Sequence, residues 1–126
     1  MRGRRGDDGA AVAEFVMVSV LVLGLFVVVF QAGLALHSRN VLVSVAADGA
    51  RFGANADVSD PGEVVARVRD GISTAFTPAY ASEATITATE SGGVVEVRIT
   101  APFPLAFVPG GPIRFTVEGH ALEESR

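Results

Sequence analysis

Residues 15–36 read FVMVSVLVLGLFVVVFQAGLAL, a run of 22 residues without a charge. A helix rising ~1.5 Å per residue makes this run roughly 33 Å long, enough to cross a hydrocarbon core of ~30 Å. So many valines form a poor helix in water. In lipid every peptide group needs an internal partner, so the helix is still the favoured state. The interruptions Ser19, Gly24, Gln31 and Gly33 are tolerable in a spanning helix.

The run also explains the composition. Hydrophobic residues make up 49% of the 126, and 22 of the 27 residues Ala10–Leu36 are of this kind. The remainder of the chain has an ordinary globular share. A cleaved secretory signal is the rival reading, with a basic start at Met1–Arg5 and small residues around Gly33-Leu34-Ala35. The run is longer than the usual apolar stretch of such a signal, and Glu14 abuts it directly. A retained anchor is therefore expected. Arg2, Arg4 and Arg5 precede it closely, while Arg39 and Arg51 follow at a distance. This bias puts the N-terminus in the cytoplasm and residues 37–126 outside it.

The N-terminal edge of the run carries a second signal, Gly9-Ala10-Ala11-Val12-Ala13-Glu14-Phe15. Glycine before a small residue leaves an uncrowded peptide bond that a protease can reach. A cut after Gly9 would give Ala10 a new amine, and Glu14 lies one helical turn further along the same face. Three roles are open for Glu14. It can offset the positive end of the helix dipole in a first turn. It can pair with the amine of its own chain. It can also pair with the amine of a neighbouring chain, because a carboxylate drawn toward hydrocarbon seeks a partner.

The short Arg-containing leader, Gly9, the acid at the fifth position after it and the apolar helix together resemble the class III signal of type IV pilin precursors. The pattern Ala-x-x-Glu-Phe over residues 11–15, and the small-residue and arginine stretch Val45-Ala46-Ala47-Asp48-Gly49-Ala50-Arg51-Phe52-Gly53, are similar to TadE-like proteins. These are minor pilins or pseudopilins of the tight-adherence (Flp) pilus. The resemblance is best over residues 6–53. It implies that Gly9 ends a leader removed by a prepilin peptidase, that Ala10 becomes the mature N-terminus, and that Glu14 is the assembly glutamate. The major Flp pilins carry Tyr after this Glu and are very short. Here Phe15 follows and a further 90 residues lie beyond the anchor, which implies a minor or pseudopilin role.

Beyond the anchor, Leu42, Val45, Ala46, Gly49, Phe52 and Gly53 fall at helix-face spacing, so the helix is expected to continue from His37 to about Ala56. The small pairs Ala46/Ala50 and Gly49/Gly53 permit close approach, either to the rest of the domain or to a partner helix. Asp60-Pro61-Gly62-Glu63 marks a helix start, and Val64, Val65, Val68, Ile72 and Phe76 supply its apolar stripe. Arg67 and Arg69 lie off that stripe and are expected in solvent, and Thr77-Pro78 is read as the stop. Strands are expected at 84–90, 94–101 and 113–119, the first two joined by the turn Ser91-Gly92-Gly93. Apolar and charged residues alternate along the later strands, so opposite charges on the outer face are expected as solvated cross-strand pairs. Between them, Phe103, Leu105 and Phe107 sit in an unusually apolar connection. It either completes the small core or forms an exposed patch.

The expected fold is α+β. A long N-terminal transmembrane helix continues into a small pilin-like domain with a second helix and a three-stranded antiparallel sheet. The expected division is a leader at 1–9, a transmembrane helix at 10–36 and an extracytoplasmic domain at 37–126. With no cysteine, thiolate catalysis and Cys-ligated zinc are excluded. His37 and His120 are far apart and are read as lone surface residues. No phosphate loop or nucleophile elbow occurs, and the net charge of −4 disfavours nucleic acid as a partner. No enzyme activity, cofactor or metal is expected. The expected partners are the lipid bilayer, a prepilin peptidase, other pilin or pseudopilin subunits and the pilus assembly platform. The rival function is an unprocessed, single-pass anchored binding or accessory module.

Overall fold

The structure is a computed structural model that describes residues 4–55, 57–103 and 113–123, with side chains from Gly6 onward. Helix α1 spans Arg4–Ala54, α2 Pro61–Ala75 and α3 Pro78–Glu83. Strands β1 (Thr85–Ser91), β2 (Val94–Pro102) and β3 (Arg114–Leu122) follow. The chain divides into two compact units, Met1–Leu34 and Ala35–Arg126. The α+β class, the long apolar helix, the second helix and the three-stranded antiparallel sheet are all as expected.

In the first unit the apolar side chains are uncovered. Phe15 and Leu21 are each 73% exposed, and Phe26 and Phe30 are nearly as open. A helix presenting this much apolar surface in every direction suits lipid and not water. Among the described residues this is the one helix long and apolar enough to cross a membrane.

The second unit has its own core. Leu42, Ala46 and Ala50 of α1 cluster with Val64, Val68 and Ile72 of α2 and with Ile86, Val97, Ile99 and Val117 of the sheet. The small residues of α1 are small because neighbours come close. A methyl group at Gly49 would collide with Val68 Cγ2, and one at Gly53 would sit 2.8 Å from Val64 Cγ2. Packing within this unit therefore accounts for both small-residue pairs. Gly119 of β3 is tighter still, since a Cβ there would meet the backbone of Ala46 and Ala47.

Helix α2 begins as its sequence dictates. Asp60 accepts a hydrogen bond from the Gly62 amide at 2.9 Å, and Pro61 occupies the first turn. Val64, Val68 and Ile72 are its buried face, and the Phe76 amide closes the end on the Ile72 carbonyl. The Thr77-Pro78 stop proves to be a start as well. Thr77 accepts from the Tyr80 amide at 3.1 Å, and Pro78 opens the short helix α3, which was not expected. Arg69 is correspondingly not a solvated side chain. Its Nη1 donates to the carbonyl of Ala81 at 2.6 Å and to that of Ala84 at 3.4 Å, a cation placed on the closing carbonyls of α3. Tyr80 packs on Phe76, with ring centroids 4.8 Å apart, and its hydroxyl donates to the Pro102 carbonyl at 2.8 Å.

The sheet order is β1-β2-β3, antiparallel throughout. Gly92 and Gly93 take φ of +61° and +76°, the paired left-handed residues that a two-residue hairpin turn requires. The strands end one to three residues later than expected, and the third begins at Arg114, leaving Ile113 outside it and half exposed. Phe103 stacks on Phe115 with centroids 4.2 Å apart and is half-buried, which favours a core role for that end of the connection. Leu105 and Phe107 lie outside the described residues.

Candidate functional site

The residues singled out from sequence lie along one helix. Gly9, Ala10, Glu14 and Phe15 all belong to α1 and all are exposed. Glu14 is four positions after Ala10, about 6 Å along the axis and close to one full turn, so both lie on one face. A side chain added at Gly9 would meet nothing within 4 Å. Among the described residues no cation pairs with Glu14.

Two details change the physical reading. Helix α1 starts at Arg4, so the acid of its first turn is Asp7, and Glu14 lies ten residues inside. The dipole role is closed to Glu14 in the intact chain, because that effect fades beyond the first turn. It reopens only if Ala10 becomes the first residue. The Gly9–Ala10 bond also lies within the helix. A protease that reads extended chain must unwind it, and Gly6 and Gly9 each weaken the helix there by roughly 0.5–1 kcal/mol relative to alanine.

Further along α1, the stretch 45–53 is the seam on which the second unit is built. Ala46, Gly49 and Ala50 are buried, Phe52 is half-buried, and Asp48 and Arg51 point outward. Beside it runs an open groove of about 770 Å³, lined among others by His37, Asn40, Ser44, Asp48, Arg67 and Asp70. Arg67 lies 3.6 Å from Asp48 and 4.8 Å from the centroid of Phe52. Both charged groups are well exposed, so the pair stabilises little.

On the outer face of the sheet the expected ion pairs are present. Arg98 lies 2.8 Å from Glu118 and 3.0 Å from Glu96. His120 is not alone as expected: its Nε2 is 3.1 Å from Glu96 Oε2. Glu96, Glu118 and His120 are the one group among the described residues with metal-ligand types brought together. Sequence spacing hid this, because Glu96 and His120 are 24 residues apart and meet only through the β2–β3 register.

A helix long and apolar enough to span a membrane, followed in sequence by a small α+β unit, fits the class of single-pass anchored proteins. The family model described as TadE-like protein matches residues 9–51, and over that stretch the chain is similar to that family. The matched residues run from Gly9 to Arg51, through the anchor and most of the small-residue seam. The family is a pilus-associated one of structural and accessory proteins. No curated protein and no solved structure matches the chain.

Proposed function

We propose that this chain is a minor pilin or pseudopilin subunit of a tight-adherence (Flp, type IV-like) pilus or secretion apparatus. Residues 1–9 are its leader, 10–36 its transmembrane helix and 37–126 its extracytoplasmic domain. A prepilin peptidase cuts after Gly9 on the cytoplasmic side. The mature helix then packs beside other pilin or pseudopilin helices on the assembly platform. The observation that carries this reading is Gly9 and Glu14, both exposed, at the N-terminal edge of an uncovered apolar helix.

Glu14 has the chemistry for the assembly role. It is a carboxylate beside an apolar run, with no partner among the described residues, and the amine of Ala10 on a neighbouring chain would supply one. Replacing Gly9 by a bulky residue should leave the leader attached. Glu14→Ala should be processed at close to the normal level yet fail to enter the assembly. If Glu14→Ala assembles normally, the role assigned to that residue is wrong.

The second reading, an unprocessed anchored binding or accessory module, is favoured by the helical state of the Gly9–Ala10 bond. Retention of the leader in the native host would support it.

A further inference from the structure

The geometry points to a binding site for a divalent transition cation of the zinc class on the outer face of the sheet, formed by Glu96, Glu118 and His120. The site is independent of the pilin reading. Register brings the three together. His120 lies directly opposite Glu96, and Glu118 opposite Arg98, two residues before His120 on the same face of β3. One ligand atom from each lies within 4.8 Å of the other two. Donors around a tetrahedral ion, with bonds of ~2.0–2.2 Å, stand roughly 3.3–3.6 Å apart. His120 Nε2 and Glu96 Oε2, at 3.1 Å, are already near that spacing. Glu118 must close by about 1 Å, which a rotamer adjustment of an exposed side chain supplies.

The position is already one for a cation. The Arg98 guanidinium lies at hydrogen-bond distance from both Glu96 Oε1 and Glu118 Oε1. With the imidazole neutral, the two carboxylates outweigh this single guanidinium by one negative charge. Arg98 is half exposed and can swing aside. Two carboxylate oxygens and one imidazole nitrogen are a donor set that suits zinc, and the imidazole disfavours calcium and magnesium. Three protein ligands leave a fourth position for water. Arg98 is then a competitor for the site, not a part of it.

Titration of the full-length chain in detergent micelles with zinc chloride, followed by calorimetry, tests this. One saturable site of micromolar affinity is expected, with calcium chloride giving none. His120→Ala should weaken zinc binding at least about tenfold, since loss even of groups behind the ligands costs that much, whereas His37→Ala should change nothing. Arg98→Gln should tighten it, which a purely structural ion-pair network would not do. Circular dichroism of each variant confirms that the fold is kept. The proposal is overturned if uptake is non-saturating, if His120→Ala binds like the parent, or if Arg98→Gln binds zinc no better.

Discussion

Gly119→Ala is the substitution to which the second unit should be most sensitive. The added Cβ would lie 2.6 Å from the Ala46 carbonyl oxygen and 2.5 Å from the Ala47 amide nitrogen, whereas ordinary contact begins near 3.4 Å. Both obstacles are backbone within the C-terminal part of α1, so no side chain can rotate away. The sheet and helix must part by roughly 0.8 Å, and gaps of that order forfeit a quarter to a half of each dispersion contact they open. Overpacking of this kind costs ~1–3 kcal/mol, and backbone obstacles place it at the upper end. For a unit of this size, ~3 kcal/mol lowers Tm by roughly 12–24 °C. The chain has one tyrosine and no tryptophan, so intrinsic fluorescence reports Tyr80 alone, a residue of this unit. Gly71→Ala is the internal control, because a Cβ there would lie 3.1 Å from Val45 Cγ1, only a few tenths of an ångström short of ordinary contact, and the loss should be smaller. A Gly119→Ala melt indistinguishable from the parent would refute the close packing of β3 on α1.

Other perturbations follow from the same contacts. Arg69→Met removes a charged donor from two carbonyls and should cost ~1.5–3 kcal/mol, read by the same melt. Asp60→Ala should cost ~1 kcal/mol through the lost cap of α2. Tyr80→Phe should cost about 1 kcal/mol through its bond to Pro102. Burial raises the Tyr80 pKa above 10.0, with Glu83 adding to the rise and Arg114 opposing it. The folded state then holds the phenol proton more tightly than the unfolded state. This contribution to stability is full below pH 10 and is lost as pH rises through the folded-state value. Phenolate absorbance should titrate later in the folded chain than in the chain unfolded by denaturant.

The features that could be read in advance were those fixed by local chemistry. Asp60-Pro61 starts α2, the 64/68/72 spacing gives its buried face, and consecutive glycines at 92 and 93 turn the hairpin. Each of these needs only neighbours in sequence. Helix α3 was signalled too, by Thr77 as cap and Pro78 in the first turn, but the same pair reads equally well as a stop. Arg69 could not be placed, because its carbonyl partners exist only once α3 does. Gly119 looks like any strand glycine until α1 crosses it. The Glu96–Glu118–His120 cluster likewise depends on register. That Gly9, Ala10, Glu14 and Phe15 share one helix could be read from spacing along a single element, and the roles proposed for them rest on the pilin reading. The extension of that helix back to Arg4 was not, since Gly6 and Gly9 are weak helix formers and give no reason to expect it.

The most direct test of the central claim is the mass of the N-terminal peptide from the protein isolated from its native host. The pilin reading predicts a chain that begins at Ala10, with residues 1–9 removed. A chain still carrying Met1–Gly9, or one that begins near Ala35, would contradict it.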